Sequence, residues 1–340
     1  MPKELVLSSH HRILGVFPHP DDEALACGIL FQRAVKVGAK VLAVFLTSGE
    51  GNTWPLRALE RRLRITPKHR LNFAFRRQGE ALASLAKLGV PASAAKFLRW
   101  PDTKLTQMLL QNPQAPLAAM AQLMQNFQPT HIVSPVLWDR HPDHSAAASM
   151  VFAALESAST QVLGYAVHLP GSPPHSPEFG FAATEEELGR KREAIAAHQS
   201  QLVFRGRFFM SFARDEEYFY SLATPNPNHQ VRPDMGGKVL KVTYRLPLTF
   251  RLFFRPNLQL LWGGSSVAGV CFPLPLLRKS GEARDSAGRQ LRFSLQGSPW
   301  RGHLHCQLPE DPRWVLLKVH RPFLLFEESG FTLARASQVE

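Results

Sequence analysis

Two short strings of acids and histidines, each directly behind an apolar run, restrict what this chain can fold into more than any other feature. The first is Phe17-Pro18-His19-Pro20-Asp21-Asp22-Glu23, after Ile13 to Val16 and before the helix-like stretch Ala24 to Val37. The second is His141-Pro142-Asp143-His144, after Ile132 to Val136 and again opening an apolar helical stretch. A short apolar run that turns into a helix reads as a strand of a parallel sheet covered on both faces. Open sheets of that kind hold their ligands where strand gives way to helix.

At a loop-to-helix turn a spacing of three lets His19 and Asp22 face one point, and His144 would add a third ligand from the second junction. Two imidazoles and a carboxylate suit zinc, and three protein ligands leave a position for water, as in catalytic sites. Zinc acidifies that water, and a carboxylate beside the ligand set but outside it can take the proton. Asp21 stands in that place. Glu23 reads either as a complement to the helix N-terminus or as a partner that holds a ligand.

Both strings resemble those of the PIG-L/LmbE-like zinc-dependent N-deacetylases, whose members remove acetyl from N-acetylglucosaminyl groups. The family's first motif reads (A/P)-H-P-D-D-E and its second H-x-D-H, and both stand here complete. The resemblance implies that His19, Asp22 and His144 bind Zn2+, with Fe2+ the alternative metal, and that Asp21 is the general base. It further implies that His141 stabilises the oxyanion or protonates the leaving amine, with Asp143 orienting it. Lesser family features recur in Thr47-Ser48-Gly49-Glu50, Arg77-x-x-Glu80-Ala81, Asp102, Lys191 and His198-Gln199-Ser200-Gln201. By the same carry-over Arg77, Asp102 and Glu50 line the substrate pocket, while His198 and Gln201 brace the site from beneath. Many members carry a tyrosine shortly before the second motif, where this chain has Trp138-Asp139-Arg140. The likeness covers about residues 12 to 220.

Strands are expected at His11 to Phe17, Lys40 to Leu46, Lys96 to Arg99, Thr130 to Val136 and Gln161 to Val167. Helices are expected at Asp22 to Val37, Leu56 to Ile65, Gln78 to Leu88, Pro116 to Phe127, Asp143 to Ala158 and Thr184 to His198. This alternation predicts an α/β fold, a Rossmann-like doubly wound and mostly parallel sheet over residues 1–222. An order 3-2-1-4-5 would set the first and fourth strands side by side and bring His19 to His144. Pro170 to Pro177 reads as a loop bordering the pocket, and 223–237 as a linker around Thr224 to Asn228. Residues 238–340 form a β-rich accessory domain, a small sandwich or barrel with runs at Val239 to Tyr244, Leu248 to Phe254, Leu291 to Leu295 and Trp314 to Val319.

A net charge of +13 in 340 residues favours anionic partners. Arg57, Arg61, Arg62, Arg64, Lys68, Arg70, Arg76 and Arg77 crowd one stretch against the single acid Glu60, either as a solvated face or as an anion-binding lid. The expected partner is a small-molecule or glycan substrate of anionic character, with peripheral contact at an anionic membrane surface; nucleic acid is disfavoured. No apolar run of 18 residues is present to span a bilayer. The start of the chain lacks the pattern of a signal peptide, which points to the cytoplasm, and Cys27, Cys271 and Cys306 have no metal-binding spacing and read as reduced thiols. The expected activity is zinc-dependent removal of acetyl from an N-acetylglucosaminyl-type substrate, giving acetate and a free amine. Alternatives are an amidase or esterase for another acyl group, or a basic nucleic-acid or membrane-surface binding module with a vestigial metal site.

Overall fold

The computed structural model describes residues 2–155, 159–168, 175–222, 230–246, 257–265, 269–319 and 330–334. The first part of the chain runs β1 (Lys3–Glu4), β2 (Arg12–Phe17), α1 (Asp22–Lys36), β3 (Lys40–Thr47), α2 (Thr53–Glu60), α3 (Pro67–Lys87), β4 (Ala95–Trp100), α4 (Leu105–Gln111), α5 (Gln114–Phe127), β5 (His131–Pro135), α6 (Pro142–Ala154), β6 (Gln161–Tyr165), β7 (Phe179–Ala182), α7 (Glu185–Ala197), α8 (Gln199–Met210) and β8 (Glu216–Ser221). Nine strands follow: β9 (Val231–Gly236), β10 (Val239–Arg245), β11 (Asn257–Gly264), β12 (Val270–Pro275), β13 (Ser280–Arg284), β14 (Gln290–Ser298), β15 (Arg301–Gln307), β16 (Pro312–Val319) and β17 (Thr332–Ala334). These elements form two compact units. One comprises Met1–Leu105, Leu123–Val136 and Glu156–Leu222; the other comprises Thr106–Gln122, Leu137–Leu155 and Ala223–Glu340.

In the first unit an eight-stranded sheet has the order β1-β7-β8-β6-β5-β2-β3-β4. Its inner run, β6-β5-β2-β3-β4, is parallel throughout and is the expected order of five. The antiparallel β8 extends it beyond β6, followed by β7 and the short β1. β2 has neighbours on both sides and five of its six residues are buried, so it reads as a continuous apolar run. Phe17 meets Phe31 edge-on at 5.8 Å between centroids and lies 6.0 Å from Tyr165, tying α1 to the sheet.

Helix α1 is broken at Cys27, whose φ of −131° leaves the helical region. The freed backbone donors are not lost: Ile29 and Leu30 donate their N–H groups to Glu217 of β8 at 3.0 and 2.9 Å. An acceptor that intrudes on the i to i−4 ladder is a recognised cause of such a kink. Lys191 of α7 supplies the counter-charge to Glu217 at 2.7 Å, with both side chains buried. A Cβ at position 28 would stand 2.8 Å from the Lys191 Cγ, so the glycine makes room for the lysine stem.

Helix α3 begins at Pro67, eleven residues ahead of the expected start at Gln78. Thr66 caps it and His69 completes a capping box, while Pro67 at the first helical position needs no N–H partner. The expected short helix Leu56 to Ile65 is α2, which ends at Glu60. Helix α8 was not expected, and directly follows the Thr184-capped α7. Among the described residues no helix is long and apolar enough to cross a membrane.

The second unit contains two antiparallel sheets, β13-β14-β15-β10-β9 and β12-β11-β16-β17. Alternation is strict in β10, where Leu240, Val242 and Tyr244 are buried and their neighbours exposed, and in β14, where Leu291, Phe293 and Leu295 are buried. These side chains join Leu260, Trp262, Leu317 and Val319 of the other sheet in one core, which makes the unit a sandwich. Within the stretch expected as a linker, Val231–Gly236 is β9; the remaining linker residues 223–229, the run 248–254 and residues 170–174 of the expected loop lie outside the described residues.

Replacing Lys191 with Met should lower stability by about 3–5 kcal/mol, because it leaves the Glu217 carboxylate buried without its cation. Urea denaturation of the full chain reads this directly, and a midpoint equal to that of the parent protein would contradict it.

Candidate functional site

The first motif sits at the C-terminal end of β2, and its side chains are almost wholly withdrawn from solvent. His19, Asp21, Asp22 and Glu23 are all buried. His19 Nδ1 stands 3.6 Å from Asp22 Oδ2, the spacing expected of two donors each about 2 Å from one ion. The other imidazole nitrogen, Nε2, lies 3.1 Å from Asp102 Oδ1, and a carboxylate behind the ring is what a metal-binding histidine carries. This donor set fits a divalent ion taken through Nδ1.

Asp102 is itself pinned by its loop. Its Oδ2 accepts from Gly51 N at 2.6 Å and its Oδ1 from Thr103 N at 2.9 Å. Glu50 accepts from the Asp102 N–H at 3.1 Å, so the described contact of Glu50 is to the Asp102 backbone. Burial works to raise the Asp102 pKa, but the hydrogen bond and charge of His19, the charge of Arg77 and the Gly51 N–H outweigh it and hold the group at about 2.

Asp21 has a backbone φ of 136°, a region that L-residues rarely adopt and that costs about 1–3 kcal/mol to hold. Two neighbours hold it. Its N–H donates to Glu23 Oε2 at 2.9 Å, and its carboxylate accepts from Arg77 Nη2 at 2.8 Å. Burial pushes the Asp21 carboxyl up to about 6, against the pull of Arg77. Arg77 is 2% exposed and also donates to the carbonyls of Gly49 and Pro20, which fixes its guanidinium over the turn. Glu23 Oε1 meets His198 Nε2 at 2.7 Å. Burial disfavours charge on His198, yet the Glu23 carboxylate overrides it and raises the imidazole pKa. Ser200 donates to Glu80 through both N and Oγ, at 2.9 and 2.6 Å. His198 and Ser200 therefore tie the start of α8 to the motif and to α3.

The second motif is built within the other unit. His141 caps α6, and its Nδ1 accepts from the Asp143 N–H at 3.2 Å. A neutral imidazole that accepts at Nδ1 carries its proton on Nε2, where it can donate. Asp139, fully buried, accepts from His141 N at 2.8 Å through Oδ1 and places Oδ2 3.2 Å from His144 Nδ1. Asp139 was passed over as part of the Trp138-Asp139-Arg140 lead-in; an acid two positions before the histidine was the available signal.

The sandwich also reaches this motif. Lys318 of β16, 1% exposed, donates to Ser145 Oγ at 3.3 Å and stands 4.8 Å from the Phe331 ring centre. The Phe331 N–H donates to the Leu137 carbonyl at 2.9 Å. At Gly330 an added Cβ would lie 2.9 Å from Ser145 Cβ and 3.0 Å from the Asp139 carbonyl, so only a residue without a side chain passes the loop. Neither Lys318 nor Gly330 carried a sequence signal, since their meaning depends on a contact across 173 positions in the lysine's case.

Residues 14–155 match the PIG-L family, described as GlcNAc-PI de-N-acetylase. The chain is 30% identical over 168 residues to a 1D-myo-inositol 2-acetamido-2-deoxy-alpha-D-glucopyranoside deacetylase of Mycobacteroides abscessus, over 44% of this chain and 57% of that protein. The corresponding deacetylase of Mycolicibacterium vanbaalenii is 30% identical over 173 residues, 44% of this chain and 56% of its own length. The chain thus spans little more than half of these relatives. The N,N'-diacetylchitobiose deacetylase of Pyrococcus horikoshii superposes with a TM-score of 0.46 at 20% identity, over 62% of this chain and 83% of that one.

Substituting Gly330 with Ala should strain the loop that carries Asp139 and cost about 1–3 kcal/mol. Side-chain NMR signals of His141 and His144 should shift while that of His198, held by Glu23, stays in place. Unmoved His141 and His144 signals would refute the contact.

Proposed function

We propose, for a chain whose residues 14–155 match the PIG-L family, that it hydrolyses the N-acetyl group of an N-acetylglucosaminyl-type small molecule or glycan, releasing acetate and a free amine. The observation that carries this reading is the division of labour inside the first turn. His19 Nδ1 and Asp22 Oδ2 face each other, while Asp21, between them in the chain, is turned onto Arg77. The matched mycobacterial proteins are named as deacetylases of a 2-acetamido sugar, which favours the same bond.

In this reading His19, Asp22 and His144 hold zinc, with ferrous iron the alternative. The placement of His144 is supported by topology: β2 and β5 pair in parallel, and the second motif follows the end of β5 by six positions. Once bound, the ion would supply Lewis acidity for the amide carbonyl and for water. Asp21 takes the proton from the attacking water, a role for which a raised carboxyl pKa is suited. Arg77 keeps that carboxylate aimed and moderates its basicity, and reaches the sugar only through it. His141, with its proton on Nε2, donates to the developing oxyanion or to the departing nitrogen. Asp143 sets the His141 ring through its backbone N–H. Asp102 and Glu50 are proposed at the sugar end, where the fixed Asp102 carboxylate could accept from hydroxyls as well as hold His19. An anionic substrate is supported by the cations of residues 57–76. A cytoplasmic setting is supported by the free, buried cysteines Cys27, Cys271 and Cys306.

The deciting experiment is amine release from a panel of N-acetylglucosaminyl compounds, phosphorylated and not, with metal-stripped protein before and after zinc or ferrous iron is returned. Release should require the metal. An Asp21→Asn variant, isosteric and tolerant of a positive φ, should bind metal stoichiometrically yet lose about 10²- to 10⁴-fold in turnover. Full turnover in that variant would remove Asp21 as the base; metal binding without release from any compound would move the search to other acyl groups.

A further inference from the structure

We infer that α2, the turn at 61–66, the first half of α3 and α8 form a docking face for an anionic lipid surface. All four segments belong to the first unit. Seven of the twelve exposed large apolar side chains among the described residues fall on them, led by Leu63 at 89% exposure, with Trp54, Leu71, Phe75, Val203 and Phe204 each more than half exposed. A concentration of this kind on a soluble surface marks a contact site. Nine cations share these segments, Arg57 through Arg76 together with Arg205 and Arg207, against the lone acid Glu60. Among the described residues Arg61, Arg62, Arg64, Lys68 and Arg205 have no ion-pair partner. The charge is therefore presented outward and not spent within the fold.

The face is braced rather than loose. Trp54 of α2 stacks on Phe204 of α8 at 6.3 Å between centroids, and the Arg57 guanidinium lies 5.4 Å from the Trp54 ring centre. Arg57 Nε also donates to the Leu63 carbonyl at 3.2 Å, which fixes the turn carrying the most exposed leucine. Arg61, Arg62 and Arg64 flank that leucine. An aliphatic tip ringed by arginines suits the boundary between headgroups and acyl chains, where apolar side chains enter and cations stay at the phosphates. The aliphatic character of Leu63, Leu71 and Val203 also separates this face from a nucleic-acid platform. Base stacking needs open aromatic faces, and here the Trp54 ring is already engaged by Phe204 and Arg57.

This face goes beyond the proposed hydrolysis and does not depend on it, but it adjoins the first motif. Arg70 donates to the Glu50 carbonyl at 3.0 Å, and Glu50 in turn holds the Asp102 N–H. The proposed face and the loop that fixes Asp102 are thus in direct contact.

The test is flotation of the full chain with vesicles of phosphatidylcholine alone and of phosphatidylcholine with phosphatidylglycerol, across a salt series. The protein should float with the anionic vesicles only and be released by salt. A triple variant, Arg61→Gln, Arg62→Gln and Arg64→Gln, should weaken vesicle binding more than about tenfold, given about fivefold per cation at an anionic leaflet. Leu63→Glu should weaken it comparably. Both variants alter exposed residues, so their unfolding midpoints should match the parent. Absence of flotation, or flotation indifferent to both variants, overturns the proposal. Salt-sensitive binding of a fluorescent oligonucleotide without vesicle binding reassigns the face to nucleic acid and overturns it equally. Because flotation is read without turnover, a failed deacetylase assay leaves this result standing, and a failed flotation leaves the deacetylase reading standing.

Discussion

Four carboxyl groups, Asp21, Asp22, Glu23 and Asp102, are buried around the end of one strand, and the neutralisation of that charge governs the architecture about them. Isolated buried carboxylates would protonate, so each is matched. Arg77 faces Asp21, His198 faces Glu23, and His19 stands between Asp22 and Asp102. Arg77 comes from α3, His198 from the junction of α7 and α8, and Asp102 from the loop after β4. The elements that surround β2 are thereby fixed by the charge they deliver as well as by the apolar area they cover. The same economy recurs deeper in the unit, where Lys191 and Glu217 stabilise the broken α1.

Much of this was legible because the relevant signals are local. The order of five parallel strands follows from apolar runs of strand length alternating with helical ones, and the two histidine strings mark two of the strand ends as candidate sites. The sheet's extension by β8, β7 and β1 was not legible: β1 is two residues long, and β7 and β8 are defined by their partners more than by their own patterning. The start of α3 was misread because Pro67 amid arginines looks like punctuation, whereas after Thr66 it opens a helix. In the candidate site, Asp21, Asp22 and His19 were legible as candidates by type and spacing, but the pairing of Arg77 with Asp21 needed the fold.

The two sheets of the sandwich carried different signatures for one physical reason. β10 and β14 alternate because one face meets the core and the other meets water. β16 is apolar for most of its length and buried from Trp314 onward, with Leu317 and Val319 in the sandwich core and Leu316 and Lys318 on the opposite face. That second face is covered within the same unit, as the contacts of Lys318 with Ser145 and of the 269 position with Leu117 attest.

The division of the chain into interleaved segments has a temporal side. Every partner of the first motif named above has been synthesised by residue 217, so that turn can settle while the remainder is still being made. The second motif's loop waits instead for Lys318, 173 positions after Ser145, and for Gly330 and Phe331 beyond it. At about 5–20 residues per second that interval lasts roughly 10 to 35 s. Throughout it α6 is complete in sequence but lacks the strand that will cover it. A chain that terminates early would therefore emerge from the ribosome with the partners of the first motif in place and the helix of the second uncovered, its apolar surface open to quality-control proteases.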